Sequence, residues 1–446
     1  MRVRPAGRLL SPGRRRMDWL LSLPIIDGPI PWIVYGLASA IVVALLIRRP
    51  TRRWLLAAGL GILAGVVVAL AVYVVADATE AFGAALPLPV LWWSIACFAG
   101  VGLCIASFWG ARAWRKVVAG LGILIIPLAG VLGVNSFYGI NPTVGSLIGV
   151  LASDPIALPA PTASDGPPAQ PLYETWKPPK DMPAKGEVGT VTIPATVSGF
   201  TARDAGIYLP PAALVKDAPA LPVVIFMMGH PGNPDPTAIA AALDDYAAKN
   251  NGLAPIAVVP DQLGPAQNDP ACADSKMYGN AETYVTTDVA DWVAKNLNVI
   301  QDRRWWVIGG YSNGGGCAIT FGAQYPEKWR NIIDVSGEPF PGSEDPQNVT
   351  NQIYGGSASA FEVSKPVNIL TQHPGAYDGM TAAFTAGADD PSYITAAQDV
   401  SNAAKAAGMT VDVETIPGAG HTGEALTKGL AITIGVMYPV LGLSAK

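Results

Sequence analysis

The sequence predicts an α/β domain with a mostly parallel sheet covered on both faces by helices, placed behind a region of four membrane-spanning helices. Three observations predict it. In the second half, short apolar β-like segments alternate with helical stretches of 12–17 residues, the pattern of repeated βαβ units. In the first half, four long apolar runs crowd together. Between the halves the composition changes to proline, alanine, serine and acids. The resulting division is an N-terminal segment 1–29, a transmembrane region 30–150, a Pro-rich linker 151–186 and an α/β domain 187–446.

Composition supports the split. The chain has 446 residues, 50% hydrophobic and only 14% charged, with a mean hydropathy of +0.32. That is too apolar for one ordinary soluble domain and long enough for more than one. Residues 1–150 carry 13 Lys and Arg against four acids, whereas the remainder carries 16 against 30. An acidic second half argues against nucleic acid as a partner. No basic patch there invites adhesion to an anionic bilayer surface.

The apolar runs fall at about 30–47, 54–76, 90–110 and 117–134, each near the roughly 20 residues that a helix needs to cross hydrocarbon. Trp32, Trp54, Trp92, Trp93, Trp109 and Trp114 sit at or near their ends, where interfacial aromatics belong. Arg48, Arg49, Arg52 and Arg53 share one short loop, and Arg112, Arg115 and Lys116 another; both are expected on the cytoplasmic side. The loop 77–89 has no Lys or Arg and carries Asp77 and Glu80, so it is expected outside, and the fourth span then delivers residues 135 onward to the outside. Arg2, Arg4, Arg8, Arg14, Arg15 and Arg16 precede the first span and conflict with an external N-terminus. Either Met17 is the true start, the favoured reading, or residues 19–29 form an extra membrane segment. No apolar stretch with a small-residue cleavage site precedes the first span, so a cleaved signal peptide fits poorly.

Residues 154–183 hold nine prolines and read as a semi-rigid spacer, expected to hold the second domain off the bilayer. Beyond it, strands are predicted at 187–194, 206–209, 222–228, 255–259, 305–308, 331–335, 381–385 and 410–416, and helices at 237–249, 281–297, 313–325 and 391–407. The run 222–228, PVVIFMM, is apolar throughout, as in a strand buried on both faces. Residues 342–380 are rich in Gly and Ser and read as a loop-rich lid. His373 has no strand before it and reads as a surface or lid residue.

The chemistry gathers on loops that follow strands, where parallel sheets place it. Gly310-Tyr311-Ser312-Asn313-Gly314 lies between the strand at 305–308 and the helix at 313–325. A serine at the centre of Gly-x-Ser-x-Gly at a strand-to-helix turn is a nucleophile elbow. Ser312 needs a base, because a free hydroxyl is a poor nucleophile at neutral pH. His421 follows the last strand and can take that proton and return it to a leaving group. A carboxylate must orient the imidazole; Asp390 is chosen, three residues past Gly387 and just before Pro391, with Asp389 as the alternative acid. The chain order Ser, Asp, His is that of the α/β-hydrolases. The oxyanion hole needs two backbone N–H groups. Asn313 supplies one, and His230 in Gly229-His230-Pro231 the other, since Pro231 has no N–H to give.

Cys272 and Cys317 can pair if the domain is extracytoplasmic, tying the 269–275 loop to the helix that leaves the elbow; the alternative is two unpaired small residues. Cys97 and Cys104 read as membrane-packing residues. No Cys/His cluster offers zinc ligands, and the elbow lacks both the Gly-Lys-Ser/Thr of a phosphate loop and a Gly-x-Gly-x-x-Gly. No metal or cofactor is expected.

With Gly310–Gly315, the acid loop 387–391 and Pro417-Gly418-Ala419-Gly420-His421 in place, residues 187–446 resemble the putative-esterase branch of the α/β-hydrolases. That branch holds esterase D-type enzymes and antigen 85-type mycolyltransferases. The whole layout of spans, spacer and hydrolase domain looks like membrane-anchored esterases of actinobacteria. One departure is Met228, where the family has His before the Gly of the oxyanion loop. The resemblance implies acyl esters of the cell envelope, with water or a sugar hydroxyl as acceptor; aminoacyl esters of phosphatidylglycerol are a further candidate. The expectation is therefore a multi-pass plasma-membrane serine esterase whose partner is a lipid or glycolipid ester. An acyltransferase with the same triad is the first alternative. A non-catalytic envelope-binding domain of the same fold is the second.

Overall fold

The computed structural model describes residues 20–21, 23–26, 28–78, 86, 88–138, 141, 143–147, 155–159, 161 and 168–445. The N-terminal arginines, Met17, Glu80 and residues 162–167 of the linker lie outside the described residues. The chain divides into two compact units, 1–148 and 149–446.

Four helices of the first unit are long and apolar enough to cross a membrane: α1 (Pro29–Leu46), α2 (Arg52–Ala78), α3 (Leu88–Ala106) and α4 (Ala113–Tyr138). Helices α2 and α3 touch backbone to backbone. A Cβ on Gly61 would stand 2.5 Å from the Gly102 carbonyl, and one on Gly65 would collide with Phe98 O. Small residues that let helix backbones approach are the usual packing device where lipid removes any hydrophobic drive between helices. The loop arginines also close helix ends. Arg115 donates to the carbonyls of Ala44, Leu45 and Ile47 at the end of α1, and Arg48 to Gly110 O at 2.7 Å. The Ala44 and Leu45 carbonyls, in the last turn of α1, have no partner within their own helix.

The second unit is built on an eight-stranded sheet: β1 (Glu187–Val191), β2 (Ala205–Leu209), β3 (Val223–Met227), β4 (Ile256–Val259), β5 (Trp306–Tyr311), β6 (Asn331–Val335), β7 (Thr381–Gly387) and β8 (Thr410–Ile416). Its order is β1-β2-β4-β3-β5-β6-β7-β8. The β1–β2 and β2–β4 pairs are antiparallel, and the six strands from β4 to β8 run parallel. The helices include α5 (Thr237–Lys249), the short α6 (Ala290–Asn296) and α7 (Asn313–Gln324). They are followed by three short ones, α8 (Pro346–Gln352), α9 (Ala358–Ser364) and α10 (Pro366–Gln372), and then by α11 (Pro391–Ala406) and α12 (Glu424–Val440). Strand β6 shows that both faces are covered. Ile332 meets Gly322 of α7, whereas Val335 meets Gly429 of α12. The two positions are an odd number apart and point to opposite faces. Strands β3 to β6 are buried along their whole length, which is why β3 and β4 read as unbroken apolar runs, while β6 buries Asn331 and Asp334 as well.

Four expectations change. The 342–380 region is helical, through α8, α9 and α10, rather than loop-rich. Its polar stretches are short helices that bury single residues, among them Val349, Phe361 and Leu370. The helix expected at 281–297 is interrupted by wider turns over Tyr284–Val289, a π-type insertion. Helix α12 lies in a stretch to which the sequence reading assigned no element. The described part of the Pro-rich stretch is not a free spacer. Leu172 is in the core, Tyr173 N donates to Gly442 O at 3.1 Å and Trp176 Nε1 to Asn251 O at 2.9 Å. The apolar residues between the prolines explain this: burying Leu172 and the Trp176 ring outweighs the extended preference of their proline neighbours.

Candidate active site

The elbow is forced by sterics. Strand β5 runs into α7 through Ser312, which holds a φ of 55° and a ψ of −120°, a conformation costly for any residue with a Cβ. The turn closes because its flanks are glycines. A Cβ on Gly310 would collide with the Gly314 carbonyl, and one on Gly314 with Met227 O of β3. Ser312 N–H donates to Val335 O at 3.0 Å, which pins the turn to β6.

Ser312 is 5% exposed, and its Oγ lies 2.8 Å from His421 Nε2. His421 sits on the loop after β8, 109 residues away in sequence. Its other ring nitrogen, Nδ1, is 3.3 Å from Asp390 Oδ2, but the contact is poorly aligned and Nδ1 has no hydrogen-bond partner. Such contacts are often long or misaligned without substrate. Asp390 occupies the N-cap of α11 without capping it through its side chain, so its carboxylate is left to face the imidazole. Asp389, the alternative acid, is exposed, and its backbone N–H donates to Ala419 O at 2.8 Å. The structure thus brings Ser312, His421 and Asp390 together and leaves the Asp389 carboxylate outside.

The loop after β3 crosses directly over the serine. A Cβ on Gly229 would be 3.2 Å from Ser312 Cβ, so the next residue, His230, begins beside Ser312. Met228, at the position where His was expected, has its carbonyl held by the buried Gln262 amide at 2.5 Å. Asn313 opens α7, where the first N–H groups have no helical acceptor. The His230 side chain turns away from Ser312. Its Nε2 lies 3.2 Å from Gln267 O, and its Nδ1 lies 3.8 Å from the Glu344 carboxylate. Burial opposes its charge, but Glu344, Asp269 and the Gln267 carbonyl together hold its pKa above the ordinary value.

Beneath the elbow lies a group of carboxyls. Asp269 Oδ1 accepts from Asn313 Nδ2 at 3.1 Å and from Ala271 N at 2.8 Å. Glu338 is 1% exposed and accepts from Gly342 N at 3.2 Å. Burial raises the pKa of both, and for Glu338 the nearby Asp269 and Glu344 raise it further. Cys272 and Cys317 form a disulfide with their Cα atoms 5.4 Å apart. It fastens the loop that carries Asp269 to α7, five residues beyond Ser312. Among the described residues no group of three or more His, Cys, Asp or Glu is placed to hold a metal ion. His373 ends α10 and is exposed.

Two tyrosines at the site escaped the sequence reading. The Tyr311 ring stacks on His421 at 5.6 Å and 24°. The Tyr393 ring lies 3.9 Å from it at 33°. Both had a signal: Tyr311 is the residue before the serine in the pentapeptide, and Tyr393 is three residues past Asp390, one helical turn away on the same side.

Residues 201–425 match the family described as Putative esterase. An uncharacterized protein of Corynebacterium glutamicum is 31% identical over 354 residues, covering 76% of this chain and 80% of its own. That span exceeds the second unit, so the similarity reaches into the first. Among solved structures, a ferulic acid esterase is 18% identical and aligns with a TM-score of 0.49 over 58% of this chain and 100% of its own. The S-formylglutathione hydrolase of Agrobacterium tumefaciens is 15% identical, with a TM-score of 0.49 over 58% of this chain and 98% of its own. MPT51 of Mycobacterium tuberculosis is 14% identical, with a TM-score of 0.43 over 57% of this chain and 99% of its own.

Proposed function

The chain belongs to the Putative esterase family, and we propose that it is a membrane-anchored serine esterase that hydrolyses carboxylic esters of the cell envelope, acyl or aminoacyl, through an acyl-enzyme on Ser312. The observation that carries this reading is the 2.8 Å contact between Ser312 Oγ and His421 Nε2 at a strained strand-to-helix turn. Ser312 Oγ attacks the ester carbonyl and its proton passes to His421 Nε2. Asp390 compensates the imidazolium. The tetrahedral oxyanion is received by the N–H groups of Asn313 and His230. The imidazolium returns the proton to the departing alkoxide, leaving the acyl group on Ser312. Water, deprotonated by His421, releases the acid and restores the serine.

The four apolar helices support a membrane anchor. With the arginine loops at 48–53 and 112–116 on the cytoplasmic side, the second unit emerges outside. The Cys272–Cys317 disulfide supports that side, since such bonds persist in oxidising compartments. The substrate is then a lipid or glycolipid ester of the envelope.

The test is fluorophosphonate labelling of the full chain in detergent, beside Ser312→Ala. Wild type is expected to label and the variant to stay unlabelled. A wild type that does not label overturns the reading. Product analysis with a short acyl ester, with and without an added sugar, separates hydrolysis from transfer: free acid alone is expected, and acylated sugar identifies an acyltransferase.

A further inference from the structure

We propose that Tyr393, assisted by Tyr311, is a positioning residue that braces the His421 imidazole against Ser312 and favours the imidazolium as it forms. The proposal rests on the assignment of Ser312 and His421 as nucleophile and base.

The need for a brace is visible in what else holds His421. Its loop, Pro417 to Gly423, contains three glycines, of which Gly418 and Gly423 lie in the left-handed region at φ 71° and 61°. The Asp390 contact, at 3.3 Å and misaligned, is longer than the 2.7–2.9 Å typical of a charge-assisted bond. On its own it leaves the ring free to turn about the Cβ–Cγ bond.

The tyrosines supply what the acid does not. Tyr393 is 8% exposed, and its ring lies against the imidazole at 3.9 Å. Tyr311, also 8% exposed, adds a second ring tilted by only 24°. The Tyr311 hydroxyl donates to the His421 carbonyl at 2.8 Å, so one residue holds both the backbone and the ring of the base. Tyr393 is the third residue of α11, whose N-cap is Asp390. One helical turn therefore presents an acid to the ring edge and an aromatic face to the ring plane.

The arrangement acts on the chemistry as well as on the orientation. An aromatic face attracts a cation, so the contact strengthens when His421 takes the Ser312 proton. Burial above all, with the nearby carboxylates, pushes the Tyr393 phenol well above its usual range, against a hydrogen bond with Ser312 that lowers it. It stays a neutral hydroxyl and does not compete for that proton.

The experiment compares wild type, Tyr393→Phe and Tyr393→Leu by ester hydrolysis and by the rate of fluorophosphonate labelling. Tyr393→Phe keeps the ring and is expected to stay within about threefold of wild type. Tyr393→Leu is expected to lower kcat and the labelling rate about tenfold with KM unchanged. If Tyr393→Leu does not fold, Tyr393→Met, similar in volume and not aromatic, takes its place with the same expectation. A non-aromatic variant as fast as wild type overturns the proposal, and so does a Phe variant as slow as the Leu variant. A rise in KM with kcat unchanged also overturns it, since that marks a substrate-binding role. Failure of the underlying assignment looks different: wild type itself would not label, or Ser312→Ala would.

Discussion

At the scale of single residues the site is a contest between near-equivalent neighbours. Asp389 and Asp390 are adjacent in sequence, yet only Asp390 has its carboxylate against His421. We expect Asp390→Asn to lower kcat by about 10³-fold or more, because the imidazole loses its charge partner. Asp389→Asn should remain within about twofold, and steady-state kinetics on one ester separates the two. A second residue sets a pH dependence of stability. Asp334, fully buried on β6, has its pKa pushed by burial up to about 7, although Gly337 N–H opposes the shift. A carboxyl whose folded pKa is raised contributes stability below its unfolded value of 3.8, and that contribution is lost as pH rises through about 7. Asp334→Asn keeps an acceptor for Gly337 N–H, which lies 2.7 Å from Oδ1. It should therefore be more stable than wild type at pH 8.5, by about 4 kcal/mol, and should lose that advantage at pH 4. Thermal melts at the two pH values check this.

At the scale of elements, two joints hold the elbow in place. The first is the glycine pair around Ser312. Gly310→Ala puts a methyl into the Gly314 carbonyl, a backbone atom with no rotamer to yield. A loss of about 3 kcal/mol or more is expected, read as a lower urea midpoint together with lost fluorophosphonate labelling. The second is the disulfide, which closes a loop with a sequence separation of 45 residues. The chain-entropy argument gives such a loop about 4 kcal/mol, so Cys272→Ser with Cys317→Ser should lower stability by about 2–4 kcal/mol. Because Asp269 on the tied loop bonds Asn313, activity in the double variant should fall more steeply with temperature than in wild type.

At the scale of the whole molecule, the two units have separate cores. Residues 149–446 exported alone to an oxidising compartment should therefore fold, form the disulfide and hydrolyse a soluble short-chain ester within about threefold of the full chain. Circular dichroism, thiol titration and kinetics test this. On the proposed anchoring, activity on esters embedded in vesicles should drop by a larger factor, since without the four apolar helices nothing concentrates the enzyme at the bilayer. Reporter fusions at residue 110 and after residue 445 should place the first inside and the second outside.

Much was legible in the chain before any coordinates. Hydrophobic length marked the four helices, because crossing hydrocarbon demands a run of fixed extent. Unbroken apolar segments marked β3 and β4, because a strand covered on both faces has little polar side. The elbow was legible because its backbone leaves room only for glycine two residues before and two residues after Ser312, at Gly310 and Gly314. What stayed hidden depended on contacts between distant parts. The helices of the 342–380 region bury too few apolar residues each to show a period. The Pro-rich stretch is claimed by the domain through Leu172 and Trp176, which find partners only after folding. The sequence by itself singled out Ser312, His421 and the pair Asp389 and Asp390 as candidates, since nucleophile, base and acid are chemical types in a fixed chain order. Only the tertiary structure decided which carboxylate meets His421 and which rings flank it, because α11 must pack on β7 before Asp390 and Tyr393 reach a histidine that arrives from the far end of β8.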